Sequence, residues 1–193
     1  ICPTQMLKNQ VLESIPQPKP TIVIEDPWSL AKCSYCSNSE KSLEIAWFGS
    51  GLNIPYLARE LPNIFSSELI KIPITLKILS SKAGLSRLKE FLSFIKFDKS
   101  KYLIKYIEWS HTKQPAQLEN LLINSDIALI PSDPKDPRKM GVSHNRLVDA
   151  SRCGCIPIAS PMESYKELSK ISLIGNDFPK MINFAWDNKA RLQ

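Results

Sequence analysis

A polar stretch in the last third of the chain carries residue types that suit a phosphorylated sugar ligand. It predicts a loop, then a short helix opened by Ser143 and stopped by Gly154. Asn145, Arg146 and Asp149 are spaced by one and three residues, so they lie near one face of the helix's first turns. Free amides, a cation and a carboxylate fit a ligand with phosphates and sugar hydroxyls, such as a nucleotide-sugar. The alternative is a plain helix cap beside a surface ion pair.

Further candidate binding residues follow two predicted strands and a long loop. Gly49 and Ser50 come after an apolar strand, where small residues let a phosphate approach the backbone amides. Trp109 follows another strand and can pack on a nucleobase. Lys139 ends a charged, Pro-rich loop and can offset the charge of a diphosphate. A tight turn that binds nothing and a half-buried Trp at the sheet edge remain the alternatives.

The glycine turn does not match a dinucleotide-binding fingerprint. The third glycine of that pattern would fall at Ile54, and the next strand ends Leu79-Ser80-Ser81-Lys82, without an acidic residue for a ribose. We therefore expect neither NAD nor FAD. The predicted small-molecule partner is the nucleotide-sugar, as a substrate rather than a cofactor.

The five cysteines predict free thiols rather than a metal site. Cys33 and Cys36 form one C-x-x-C pair, but the sequence has no second pair with zinc-ligand spacing. A zinc site and a redox pair are the alternatives. We expect no metal, because D-x-x-D at Asp133 and Asp136 is a weak signal. An odd cysteine count and no visible secretory signal favour a reducing, cytoplasmic compartment.

Composition places the chain among ordinary globular proteins with a basic balance. It is 43% hydrophobic and 23% charged, with a net charge of +6. No run approaches the roughly 20 apolar residues of a membrane helix. The lysines are scattered and form no stripe with aromatic residues, so we expect no nucleic acid partner. The basic surface leaves peripheral contact with a membrane open.

The predicted elements that position the candidate residues alternate along the chain. Apolar runs predict strands over 21–25, 44–48, 74–79, 102–107, 126–130, 155–159 and 171–174. Helices are predicted over 1–14, 84–95, 114–123, 163–168 and 179–186, from Ser143, and from the turn 49–53 through about Leu61. This alternation predicts an α/β fold with a Rossmann-like, doubly wound parallel sheet, which binds ligands at the carboxyl ends of its strands.

Together these motifs resemble the C-terminal, donor-binding domain of GT-B-fold glycosyltransferases. The resemblance covers about residues 20–175 and is most specific from Asp126 to Ser160. Its motifs are Ile45-Ala-Trp-Phe-Gly-Ser50, Trp109-Ser110, Asp126-Ile-Ala-Leu-Ile-Pro-Ser132, Ser143 to Ala150 and Gly154 to Ser160.

The resemblance implies roles for several of these residues. It implies that Ser143, His144 and Asn145 offer amides to the diphosphate and that Asp149 binds ribose hydroxyls. Such enzymes often carry a second carboxylate whose position here is Gly141, so the chain departs from the family there. No catalytic residue is assigned.

The resemblance also predicts the organisation of the chain and its function. Residues 1–20 would be a remnant of a preceding domain and linker, 21–178 the donor-binding domain, and 179–193 a helix bracing the other half. The acceptor-binding N-terminal half would be a missing partner. The expected activity is retaining transfer of a sugar from a nucleoside diphosphate to a hydroxyl acceptor, with this part inactive alone. The alternative is a non-catalytic, flavodoxin-like nucleotide- or phosphate-binding module.

Overall fold

Six strands form one parallel sheet in the computed structural model, in the order β3-β2-β1-β4-β5-β6. The strands are β1 Leu43–Phe48, β2 Ile74–Ser80, β3 Tyr102–Glu108, β4 Ile127–Ile130, β5 Ile156–Ala159 and β6 Leu173–Ile174. This is the Rossmann order, not the 2-1-3-4-5 order of flavodoxin-like proteins. The predicted fold class is therefore confirmed, and the flavodoxin-like build of the alternative is wrong.

The structure describes most of the chain. The described residues are 5–16, 19–23, 30, 32, 42–113, 116–139 and 141–189. The predictions for Cys2, Cys33 and Cys36, and for the end of the strand 21–25, lie outside them. Within that predicted strand, Val23 forms an isolated bridge.

Helices occupy the connections between strands and cover both faces of the sheet. They are α1 Gln5–Ser14, α2 Ile54–Ser66, α3 Lys82–Ser93, α4 Ala116–Ile123, α5 Asn145–Arg152 and α6 Phe178–Asp187. Side-chain caps fix two of their starts: Ser81 accepts from the amide of Gly84 at 3.3 Å, and Asp177 accepts from the amide of Lys180 at 3.1 Å. The alternation predicted from the sequence is confirmed over the described residues.

The structure corrects two predicted boundaries and one predicted helix type. Helix α5 begins at Asn145 with His144 as its N-cap, so Ser143 lies one residue before the cap. Residues 163–168 form a 3-10 helix, and the last strand shrinks to Leu173–Ile174. The predicted stop is confirmed, because α5 ends at Arg152 and Gly154 has a φ of 81°.

The sheet separates two apolar layers because alternate residues of a strand point to opposite faces. Ile45 and Trp47 of β1 pack with α2, α3 and α6, whereas Ala46 and Phe48 pack with α4 and α5. The central strands β4 and β5 are buried along their whole length. Burial of both faces holds β4 and β5 in place. The loops after β1 and β4 carry candidate site residues.

The predicted division of the chain assigns the outer helices α1 and α6 largely to segments outside the donor-binding domain. Phe178, Ile182 and Ala185 of α6 are buried in the same apolar layer as α2. The bracing of a further domain by this helix stays a prediction, as does the assignment of α1 to a preceding one. Among the described residues, no helix is both long and apolar enough to cross a bilayer.

Candidate functional site

The glycine turn after β1 is held tightly by the neighbouring strand. The amide of Gly49 donates to the carbonyl of Leu79 at 3.2 Å, and Ser80 Oγ donates to the carbonyl of Gly49 at 2.8 Å. Gly49 has a φ of 155°, which side-chain-bearing residues rarely adopt. These two hydrogen bonds hold the turn against the end of β2.

A cavity of about 290 Å³ opens beside this turn at the carboxyl ends of β1 and β2. It is lined by Phe48, Gly49, Ser50, Gly51, Ser81 and Trp109. Half-buried Trp109 is held by its amide, which donates to the carbonyl of Ser80 at 2.8 Å. The structure thus brings together three residues predicted from the sequence: Gly49, Ser50 and Trp109.

The sequence analysis did not assign Ser81 or Phe48 to the site. Ser81 follows a strand and stands three residues before Gly84, a pattern typical of a helix N-cap at the carboxyl end of a sheet. Phe48 reads from sequence as a core residue, and it is 6% exposed. Of the two, only Ser81 carried a signal that could have revealed its place.

Two cations converge on the same turn. Arg146 lies against Gly49: a Cβ built on this glycine would be 3.5 Å from Arg146 Nη1. That guanidinium nitrogen is buried and has no hydrogen-bond partner within the described chain. Lys139 Nζ donates to Asn53 Oδ1 at 2.6 Å and lies 5.3 Å from the centre of the Tyr56 ring. Both cations were predicted from the sequence.

The two cations repel each other and lack a dedicated counter-charge. Burial lowers the pKa of Lys139, and the nearby charge of Arg146 lowers it further, while Asp136 acts in the opposite direction. Neither Lys139 nor Arg146 forms an ion pair in the part of the chain that the structure describes. Unpaired like charges at a sheet's carboxyl edge are the arrangement that an anionic ligand would neutralise.

The loop that carries Lys139 is anchored to α2 by its carboxylates. Asp136 accepts from Tyr56 Oη and pairs with Arg138 at 2.8 Å, and Asp133 pairs with Arg59 at 2.9 Å. The hydrogen bonds from Arg138 and Tyr56 hold the pKa of Asp136 well below its usual range. These carboxylates therefore orient the loop. Arg138 is already paired with Asp136, whereas the loop lysines Lys135 and Lys139 form no ion pair among the described residues.

The start of α5 holds three more predicted residues, which do not line this cavity. Ser143 Oγ accepts from the amide of Asn145 at 3.3 Å, so that amide already has a partner. The carbonyl of His144 accepts from the amides of Leu147 and Val148, while its Nδ1 is buried without a partner among the described residues. The phosphate contacts implied for Ser143, His144 and Asn145 stay predictions.

Asp149 is buried away from this cavity. It is 3% exposed, and its Oδ1 accepts from the amide of Leu30 at 3.3 Å. Arg152, one turn later, donates to the carbonyl of Leu30 at 2.9 Å. The structure therefore gives Asp149 a role in fixing the segment at Leu30, and its contact with a ribose stays a prediction.

Gly141 occupies the position where the sequence departs from the resemblance. It has a φ of 68°, and a Cβ there would lie 3.1 Å from Leu7 Cβ and 3.2 Å from Gln10 Oε1 of α1. The backbone and the packing of α1 both disfavour a side chain at this place.

The described cysteines are structural. Cys153 and Cys155 are buried beside α5, and neither takes part in a disulfide among the described residues. Burial raises the pKa of Cys155 well above its usual range, and its thiol donates to the carbonyls of Leu122 and Ser125. Within the described ranges, no three His, Cys, Asp or Glu side chains are grouped to hold a metal ion.

Comparison with known proteins identifies this architecture. No family model and no curated protein matches the sequence. TarM matches over 99% of this chain and 35% of its own length, with a TM-score of 0.62 at 11% identity. The glycosyltransferase GlyE of Streptococcus pneumoniae and an α,α-trehalose-phosphate synthase (UDP-forming) of Burkholderia vietnamiensis match over 79% of this chain, with TM-scores of 0.39 and 0.42 at 18% and 10% identity.

The TarM likeness agrees with the Rossmann-like parallel sheet of this chain. The chain covers 34% of GlyE and 38% of the synthase, so it spans about a third of the structures it matches. The TarM likeness has a TM-score above 0.5, and at 11% identity it shows the fold alone.

Proposed function

We propose that the chain is the donor-binding half of a glycosyltransferase. It binds a nucleoside diphosphate sugar for transfer of the sugar to a hydroxyl acceptor, which a further part of the protein would hold. The observation that carries the proposal is the pair of unneutralised cations, Lys139 and Arg146, beside the rigid turn at Gly49.

The cations favour a diphosphate over a single carboxylate. Arg146 presents a buried, unpartnered Nη1 next to Gly49, and Lys139 reaches the same turn through Asn53. A guanidinium and an ammonium can each bind a separate phosphoryl group. Because Gly49 has no side chain, no side chain of that residue separates the turn from Arg146 Nη1.

The cavity beside the cations supplies a surface for the rest of the nucleotide. Trp109 and Phe48 offer aromatic contacts for a base, and Ser50 and Ser81 offer hydroxyls. Its 290 Å³ is at the small end of ligand pockets, which suits a base rather than the whole donor. Ser143, His144, Asn145 and Asp149 would complete the donor contacts from α5.

The chemical work of such a site is electrostatic. Breaking the bond between sugar and diphosphate leaves negative charge on the diphosphate. Lys139, held by Asn53, and the partly buried Arg146 would stabilise that charge as it develops. This step needs no metal and assigns no proton to a residue of this chain, since the acceptor and its base would belong elsewhere.

A second candidate is a nucleotide-binding module without transfer activity. Gly141 favours it, because α1 packs where a carboxylate would otherwise reach a bound sugar. Both candidates predict diphosphate binding. They differ in turnover of a nucleotide-sugar by the full-length protein that contains this chain.

Calorimetric titration of the chain tests the shared prediction. We expect one of UDP, GDP and ADP to bind, and the matching nucleoside to bind on the order of 100-fold more weakly, since it lacks the charge-assisted contacts. No binding of any diphosphate would overturn the proposal. Release of free sugar or glycoside from the matching nucleotide-sugar by the full-length protein would then favour the transferase over the binding module.

A further inference from the structure

The positive charge of the chain is concentrated in one segment. Residues 82–105 hold seven basic and two acidic side chains, a net charge of +5, whereas the whole chain carries +6. Six of the seven basic side chains are exposed. The expectation that the lysines are scattered is therefore wrong for this segment. We call residues 82–105, which include α3 and the first half of β3, the basic corner.

The turn between α3 and β3 holds the basic corner in a fixed shape. The ring of Phe97 stacks on Phe65 with 4.7 Å between centres. Asp98 accepts from the amide and the hydroxyl of Ser100 at 2.8 and 2.6 Å, and these bonds lower the pKa of Asp98. Lys89 Nζ lies 4.8 Å from the centre of the Tyr106 ring, which links α3 to the edge strand.

Three large apolar side chains in the same segment are exposed. Phe94 is 81% exposed, Leu103 53% and Phe91 36%. Phe94 precedes the turn and Leu103 is the second residue of β3, so both lie near the amino ends of the strands. Trp109 and the candidate site follow β3 at the opposite end. A donor diphosphate therefore does not account for the charge at the α3–β3 turn and on β3, although Lys82, at the other end of α3, follows Ser81 of the cavity.

We propose that the basic corner docks on the surface of an anionic lipid bilayer. Lysines attract acidic headgroups, while exposed Phe and Leu side chains enter the boundary between headgroups and acyl chains. Six of the seven cations are lysines, whose long stems let the ammonium stay at the headgroups while the apolar part is buried. Exposed Phe94 favours a membrane over a nucleic acid duplex, where the same lysines would contact phosphates only.

Co-sedimentation with vesicles tests the proposal on the intact 193-residue chain. Vesicles of phosphatidylcholine mixed with phosphatidylglycerol are compared with phosphatidylcholine alone, at low and high salt. The corner variant is Lys96→Gln/Lys99→Gln/Lys105→Gln. The matched control is Lys19→Gln/Lys170→Gln/Lys180→Gln, which removes the same charge from exposed lysines elsewhere.

We expect binding to acidic vesicles that weakens with salt. The corner variant should bind on the order of 100-fold more weakly, and the control variant less than about threefold. Phe94→Ser should cost on the order of tenfold, since it removes the inserted ring. All these side chains are exposed, so unchanged circular dichroism is expected for each variant.

Several results would overturn the proposal. They are equal losses in the two triple variants, equal binding to neutral vesicles, no binding at low salt, or tighter binding to duplex DNA that Phe94→Ser leaves unchanged. Nucleotide titration of the same variants keeps the two proposals apart. The corner variant should bind the diphosphate like the unmodified chain, and loss of only one of the two activities identifies which proposal has failed.

Discussion

The two ends of the parallel sheet differ in their charged residues, because two half-buried cations at the carboxyl end have no ion pair among the described residues, although the neighbouring loop carboxylates do. At the amino end, Asp126 is fully buried, pairs with Lys189 at 2.5 Å and accepts from the amide of Glu44 at 2.9 Å. Lys77 pairs with Glu44 at 3.0 Å. At the carboxyl end, Lys139 and Arg146 lie close together without an ion pair between described residues.

This difference separates charges that hold the fold from charges kept for a ligand. A buried charge that loses its partner is costly, so the amino end should be sensitive to substitution. Two repelling cations cost stability in the unliganded protein and become favourable only when an anion binds. Substitutions at the two ends should therefore affect stability and affinity in opposite proportions.

The largest effect is expected at the amino end. Asp126→Ala should lower the free energy of unfolding by about 3–5 kcal/mol, because Lys189 and the Glu44 amide lose a buried partner. Urea denaturation measures it. Glu163→Gln is the control, since it removes an exposed ion pair with Lys166 and should cost less than about 1 kcal/mol. Similar losses in the two variants would contradict the contrast.

Asp149→Ala should have the next largest effect on the free energy of unfolding. Loss of a buried acceptor for the Leu30 amide should cost about 1–3 kcal/mol in urea denaturation. Asp149→Asn keeps an acceptor oxygen and should cost less. If Asp149→Ala leaves the stability unchanged but weakens diphosphate binding, Asp149 belongs with the ligand-binding charges rather than the structural ones.

Gly49→Ala tests whether the turn at the carboxyl end contributes to diphosphate binding as well as to stability. The φ of 155° should make this change cost about 1–2 kcal/mol of stability, and a methyl group 3.5 Å from Arg146 Nη1 should also weaken diphosphate binding. Gly154→Ala is the matched control, because its φ of 81° is similarly strained at a place remote from the cations. Gly154→Ala should lower the thermal midpoint of unfolding but leave the calorimetric affinity for the diphosphate unchanged. Equal losses of affinity in the two glycine variants would contradict the assignment of Gly49 to the binding site.

The smallest effect is a pH dependence from Lys139, whose pKa lies below the usual 10.5. As the pH rises through that lowered pKa, the lysine loses its charge, so diphosphate affinity should fall on the order of threefold to tenfold. The unliganded chain should gain stability over the same rise, because the unfolded chain then binds more protons than the folded one. Lys139→Gln should abolish both changes; their persistence would assign them to another group.

The sequence predicted the sheet well because its strands are local apolar runs that end in turn residues. The run Asp126-Ile-Ala-Leu-Ile130 carries its own pattern, and so does the glycine turn at Gly49. The start of α5 was one or two residues off, since Ser143 can bond the Asn145 amide without being the N-cap.

The residue types of the candidate site could be predicted from the sequence, but the contacts between those residues could not. The proximity of Lys139, Arg146 and Gly49 follows from the parallel order of strands, which brings separate loops to one edge. The burial of Asp149 depends on Leu30, which is 119 residues away, and no local pattern encodes that contact. The sequence shows the concentration of charge in residues 82–105, but it does not show that Phe94 and Leu103 are exposed there.

The double variant Lys139→Gln/Arg146→Gln tests the central claim most directly. Calorimetry should show diphosphate affinity lower by at least about 100-fold, since two charge-assisted contacts are lost. Urea denaturation of the unliganded variant should give an unfolding free energy equal to or above that of the unmodified chain, since the repulsion is gone. A destabilised variant that binds the diphosphate as tightly as before would show that these cations support the fold rather than a ligand.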